Sequence, residues 1–189
     1  FKQILPYNKD IFFLLGDNSN SIEGIVNPIS VIYRSKDFGT TFTKTSLGEG
    51  TITEGGFVKE TLYIVLQNKV FENNKPIINT TIYQSKDFGE SWEKVAFFEN
   101  TEIDKIYFYT EKIGIARFYD RTNETSQYKY TSDGGISWHT AKGLIKTEYD
   151  PLANGWFKSE NEIYYMTDNG FLKSFNLTKE DSFQVVKKI

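Results

Sequence analysis

Short apolar runs alternate with turn residues along the whole chain. Strand-like runs begin near Ile11 (IFFLL), Leu62 (LYIVL), Ile113 (IGIARFY) and Ile163 (IYYM), with starts 51, 51 and 50 residues apart. Period-2 alternation is visible in Thr80-Thr-Ile-Tyr-Gln and in Tyr107-Phe-Tyr-Thr, and no long segment carries a helical stripe. Each unit gives about four strand signals separated by turn residues. In the second unit they fall near Thr51–Val58, Thr61–Val70, Ile77–Gln84 and Ser91–Phe97. The pattern predicts an all-β chain of four repeats, about 1–48, 49–99, 100–145 and 146–189, filling one domain.

A motif recurs inside the repeats. Tyr33-Arg-Ser-Lys-Asp-Phe-Gly-Thr-Thr-Phe42, Tyr83-Gln-Ser-Lys-Asp-Phe-Gly-Glu-Ser-Trp92 and Lys129-Tyr-Thr-Ser-Asp-Gly-Gly-Ile-Ser-Trp138 align without gaps. Their shared pattern is [ST]-x-D-x-G-x-[ST]-[WF]. The fourth repeat has lost it, except for a remnant around Ser174 to Phe183 that lacks the Gly. A repeat of roughly 40–50 residues with four strands is the signature of a β-propeller blade. The expected fold is a small propeller of four four-stranded blades, the fourth degenerate.

The motif resembles the Asp-box, or BNR, repeat of sialidases and many other β-propellers. The residue types suit a turn between the last two strands of a blade. Asp37, Asp87 and Asp133 can accept hydrogen bonds from their own turn. Gly39, Gly89 and Gly135 supply a positive φ. Phe42, Trp92 and Trp138 can pack between neighbouring sheets. The resemblance makes these residues structural and sets the box away from the functional face. Phe38 and Phe88, at the turn tips, are expected to pack on the next turn. The Gly55-Gly56 and Gly134-Gly135 pairs read as turns.

Composition narrows the chemistry. Aromatic content is 16%, which sheet surfaces favour. A net charge of −3 argues against a nucleic-acid partner, and no apolar run is long enough for a membrane-spanning helix. With no cysteine there is no disulfide or thiolate metal site. No cofactor and no metal are expected. The single His139 follows a box Trp on an outer strand and has no visible acid–base partner. The chain opens on Phe1, and an exported origin, periplasmic or extracellular and bacterial, is the expectation over a cytoplasmic one.

The resemblance to sialidases invites a residue-by-residue test for an enzyme. Sialidases clamp a carboxylate with three Arg and use a Tyr nucleophile with a Glu partner and an Asp acid/base. This chain holds only Arg34, Arg117 and Arg121. Arg34 sits inside a box, at the wrong end of its blade, and the other two come from one blade. No Arg-Ile-Pro segment occurs, and the length is short of six blades. No catalytic residue is assigned.

Propeller geometry sends the second-to-third strand loops and the blade connections to the face opposite the boxes. That face is expected to receive Asp17–Pro28, Leu47–Glu54, Gln67–Ile78, Phe98–Asp104, Tyr119–Ser126 and Gly143–Leu152, several of them long. Its acidic residues are Asp17, Glu23, Glu49, Glu54, Glu72, Glu99, Glu102, Asp104, Asp120, Glu124, Glu148 and Asp150. Its basic residues are Lys69, Lys75, Arg121 and Lys146. Solubility alone accounts for charge on any one loop. The whole asymmetry points to a basic protein partner. All but Glu49 and Glu54 of these acids are the expected partner-binding residues.

The function expected is therefore non-catalytic protein binding, in its most concrete form an inhibitor or immunity protein that plugs a basic toxin or enzyme. The alternatives are a carbohydrate-binding propeller using Trp156 and Tyr149, with Trp156 otherwise read as core, and an assembly or stability factor.

Overall fold

A computed structural model describes residues 2–18, 28–144, 150, 152–153, 155–167, 169–179 and 184–188. Four antiparallel sheets of four strands follow one another along the chain. The first is β1 (Gln3–Pro6), β2 (Phe12–Asn18), β3 (Ile29–Ser35) and β4 (Thr43–Thr45). The second is β5 (Thr51–Val58), β6 (Thr61–Glu72), β7 (Lys75–Ser85) and β8 (Glu93–Phe98). The third is β9 (Thr101–Phe108), β10 (Gly114–Asp120), β11 (Thr125–Thr131) and β12 (His139–Thr140). The fourth is β13 (Gly155–Ser159), β14 (Glu162–Met166), β15 (Phe171–Asn176) and β16 (Gln184–Lys188). In each sheet the strands pair in chain order. Among the described residues the only helix is a 3₁₀ turn at Lys142–Leu144, and none is long and apolar enough to cross a membrane.

The sheets group into two compact units. Residues 1–102 with 121–123 make unit 1, and residues 103–120 with 124–189 make unit 2. Alternating strand positions bury one face of each sheet. In unit 1, Phe13, Leu15 and Ile32 of the first sheet meet Ile52, Leu62, Ile64 and Leu66 of the second. In unit 2, Ile115 of the third sheet packs with Phe157, Ile163, Tyr165 and Phe175 of the fourth.

Gly55 corrects one expectation. Gly55 and Gly56 lie inside β5, not in a turn. A Cβ at Gly55 would stand 2.6 Å from Leu15 Cδ1 and 3.1 Å from Leu5 Cδ1. The glycine lets the first sheet seat its leucines directly on the β5 backbone.

The expected long loops are also corrected. Gln67–Ile78 is strand almost throughout, turned by Asn73-Asn74 alone, at φ 48° and 63°. Asn tolerates the left-handed region that a two-residue hairpin of this twist requires. Glu99-Asn100 likewise separates β8 from β9 in two residues, so Glu102 and Asp104 are strand residues. Asp17 lies in β2 one residue before its end, Glu54 lies in β5 and Asp120 ends β10. The Tyr119–Ser126 loop shrinks to a turn over Arg121–Glu124. Glu23, Glu148 and Tyr149 lie outside the described residues.

The fourth sheet is complete in its strands despite its missing box. After β15, Asn176 Oδ1 accepts the Thr178 N–H at 3.0 Å and its hydroxyl at 2.8 Å. An Asx turn thus begins the connection that a box makes in the other three sheets.

Candidate functional site

Each box closes on itself by the same bonds. Ser35 Oγ donates to Asp37 and accepts the Gly39 N–H at 2.7 Å. Asp37 then accepts the Thr41 N–H at 2.9 Å and its hydroxyl at 2.7 Å. Ser85, Asp87, Gly89 and Ser91 repeat this set, as do Thr131, Asp133, Gly135 and Ser137. The two hydroxyl positions of the motif are thereby explained: one caps the glycine N–H, the other caps the carboxylate.

These donors stabilise the ionised carboxylates. Hydrogen bonds from the Ser91 hydroxyl and N–H, with help from Ser85, bring Asp87 down to about 2. Thr41 lowers Asp37 in the same way. At Asp133 desolvation opposes the shift, and the Ser137 and Thr131 donors outweigh it.

The residue between Asp and Gly also takes a positive φ: 57° at Phe38, 55° at Phe88 and 79° at Gly134. At Phe38 and Gly134 its N–H reaches the turn between the first two strands. Phe38 donates to Asp10 O and Gly134 to Lys112 O. Box and first hairpin therefore share one end of the sheet. Phe88 packs edge-on against Tyr7 at 4.8 Å and joins the unit 1 core. Phe38, in contrast to its expected packing, is 64% exposed.

The last box residue behaves differently in each sheet. Trp92 packs on the core between the first and second sheets. Phe42 instead rests on Phe12 and Tyr33 of its own sheet. Trp138 rests on Phe108 and Phe118 of its own, and its indole donates to Gly135 O at 2.9 Å.

Residues 32–45 and 82–95 match the family profile described as BNR-Asp box repeat. The chain carries two BNR-Asp box repeats. The third box, around Asp133, lies outside both matched segments and has the same hydrogen bonds. No curated protein matches the chain. The solved structures similar to it include a Trypanosoma rangeli sialidase in complex with 2,3-difluorosialic acid, a covalent intermediate. Identity is 10% and the TM-score 0.31, over 88% of this chain and 44% of the sialidase. The chain thus spans less than half the length of that protein.

The arginines occupy three different settings. Arg34, buried, links the two Asp boxes of unit 1: its Nη1 donates to Phe88 O at 2.8 Å and lies 3.0 Å from Glu90. Arg121 pairs with Glu102. Arg117 pairs with Asp104 and, at 2.8 Å, with Asp150. His139 is exposed on β12 beside the Tyr130 ring. Among the described residues no three His, Cys, Asp or Glu side chains gather as a metal site requires.

Within each unit the acidic positions opposite the boxes are less uniform than the sequence suggests. Asp17 is paired with Lys2 at 3.0 Å and accepts the Thr51 hydroxyl. With Glu102, Asp104 and Asp150 also paired, the excess charge narrows to exposed carboxylates. In unit 1 these are Glu49, Glu72 and Glu99; in unit 2 Glu124 is exposed at φ 52°.

One feature of that end was not anticipated. The β6–β7 hairpin outruns its sheet. β5 pairs with β6 only as far as Gln67, and β8 meets β7 only from Thr80. Residues 68–79 form a free two-stranded ribbon, with Val70 opposite Ile77 on one face and Phe71 opposite Pro76 on the other. Phe71 is 62% exposed, and Lys69 Nζ stands 5.2 Å from its ring centre. The available signal was the apolar pair Val70-Phe71 and the run Pro76-Ile77-Ile78 placed symmetrically about Asn73-Asn74.

Proposed function

We propose that this chain is a small Asp-box β-propeller module that binds a protein partner and carries out no chemistry of its own. Four consecutive four-stranded sheets, three of them with an Asp-box turn, support the propeller. The observation that carries the binding reading is the β6–β7 ribbon of unit 1. It projects Phe71, an aromatic anchor, beyond its sheet, with Glu72 beside it. Exposed apolar side chains on a projecting element suit docking into a partner's groove. Glu49, Glu72 and Glu99 share this end, and no ion pair holds them among the described residues. They favour a basic partner, as an inhibitor or immunity protein for a basic toxin or enzyme would have. The commitment of all three arginines to internal partners supports the non-catalytic reading.

The test is affinity capture from a lysate of the source cells, at low and high salt. Wild type is run beside Phe71→Ala and a Glu72→Lys/Glu99→Lys variant. A basic protein held by wild type, and released by both variants, supports the reading. Equal retention by all three overturns the ribbon as the docking element.

A further inference from the structure

The ribbon of unit 1 carries an open strand edge. β5 pairs with β6 as far as Thr51 opposite Gln67, and there it leaves the sheet. Just before it, the Gly50 N–H donates to Pro28 O at 2.7 Å, and Glu49 bridges to Ile29. Gly50 marks the point of departure closely, since a Cβ on it would stand 2.7 Å from Gln67 O. Among the described residues no strand continues the β5 lane beside Asn68–Glu72.

The ladder fixes which groups face that lane. Asn73-Asn74 form a two-residue turn, so Glu72 and Lys75 are the hydrogen-bonded pair that closes it. Pairs then alternate along the ribbon. Val70 bonds with Ile77, whereas Phe71 opposite Pro76 and Lys69 opposite Ile78 turn their N–H and C=O outward. β6 thus presents two donors and two acceptors, and among the described residues no main-chain bond reaches them.

The β7 edge is blunted by comparison. Pro76 has no N–H to offer, and Asn79 Oδ1, beside Ile78, accepts the Asn100 N–H at 3.1 Å. Lysine usually guards an exposed edge, but Lys69 lays its ammonium over the Phe71 ring at 5.2 Å. A two-stranded ribbon is also marginal by itself and gains from a third strand. Charge selects the occupant. Glu49 lies at the base of the lane and Glu72 at its tip, both exposed.

We propose that the basic partner adds an extended segment as a strand along the β6 edge, beside Asn68–Glu72. The inference rests on the protein-binding reading above and names how the partner is held. Main-chain bonds to Lys69 and Phe71 supply affinity, and alternate side chains supply selectivity. Segment residues opposite Lys69 and Phe71 share the face of the Phe71 ring. Those opposite Val70 and Glu72 lie on the other face, where an apolar residue meets Val70 and a basic one meets Glu72.

The test uses the whole chain, ¹⁵N-labelled, titrated with an acetylated heptapeptide of alternating valine and lysine and with its valine–glutamate counterpart. The lysine peptide should shift the Lys69 and Phe71 amides saturably and slow their exchange with solvent, leaving the Ile78 amide unchanged. The glutamate peptide should do neither. Lys69→Pro removes one outward donor and leaves the β6–β7 bonds intact, whereas Lys69→Ala removes only the side chain. Read at the Phe71 amide, Lys69→Pro should bind the peptide roughly fivefold more weakly than Lys69→Ala. If Lys69→Pro loses its native spectrum, exchange at the two wild-type amides decides. Unmoved Lys69 and Phe71 amides, equal binding of the glutamate peptide, or equal affinity in the two variants overturns the proposal. Protection of these amides in the chain alone, rising with its concentration, assigns the edge to a second copy and also overturns it. If capture depends on Phe71 but survives Lys69→Pro, the ribbon docks by its side chains and strand addition fails alone. If the peptide adds to the edge while no protein is retained, the protein-binding reading fails and the edge stands.

Discussion

Arg34 Nη1 in the first Asp box donates to the main-chain oxygen of Phe88 in the second, at 2.8 Å. Glu90 stands 3.0 Å from the same nitrogen and accepts Lys36 as well, so the two boxes are linked by charge and by backbone. Arg34 is buried and Glu90 is exposed. Arg34→Ala should cost about 1–3 kcal/mol in urea unfolding, since it strands a carbonyl and empties a packed site. Glu90→Gln should cost much less than Arg34→Ala, because water screens that partner. Equal costs would show that the carboxylate, not the carbonyl, carries the link.

The box carboxylates predict the acid limit of the fold. A carboxyl group held lower in the folded state than in the unfolded chain stabilises the fold above the unfolded value. That contribution disappears as pH falls through the folded value. With Asp87 at about 2, and Asp37 and Asp133 also lowered, stability should decline from about pH 4 down to about pH 2. Ser91→Ala removes the hydroxyl that lowers Asp87 most and should raise its pKa, as carboxyl NMR titration would show. An unmoved Asp87 would mean that the N–H donors alone hold it.

Gly55→Ala should destabilise unit 1 by about 1–3 kcal/mol, because the new methyl meets Leu15 at 2.6 Å. Leu15→Val in the same chain should recover part of the loss. Gly56, with open space around its Cβ position, should accept Ala at little cost. Thermal unfolding of the three variants separates these outcomes.

Two box phenylalanines share a strained backbone and differ in packing. Phe38→Gly should raise stability by about 1 kcal/mol, since it relieves a φ of 57° and uncovers little. Phe88→Gly should lower it, because Tyr7 and the unit 1 core lose a ring.

The repeat made the strands legible. The spacing of Ile11, Leu62, Ile113 and Ile163 placed each second strand, and the Asp-Gly pattern placed three turns. Gly55-Gly56 misread as a turn because the packing partner, Leu15, lies forty residues away and leaves no local mark. Asn73-Asn74 looked like loop although two asparagines suffice for a tight hairpin, which turned a presumed loop into the ribbon. The pairing of Asp104 and Asp150 with Arg117 was invisible, because it joins strand and loop positions distant in sequence. Trp156, expected to fill the core, is half-exposed on β13 with its ring against Tyr164, because its neighbour Phe157 takes the core face of the strand.

Binding of a protein through the ribbon end of unit 1 is tested most directly by the affinity of the retained partner, measured by calorimetry at low and high salt. The account predicts that Phe71→Ala weakens binding at least fivefold at both salts, as loss of an apolar anchor should. It also predicts that Glu72→Lys/Glu99→Lys weakens binding mainly at low salt, where charge is least screened. Wild-type affinity in both variants, at either salt, would contradict it.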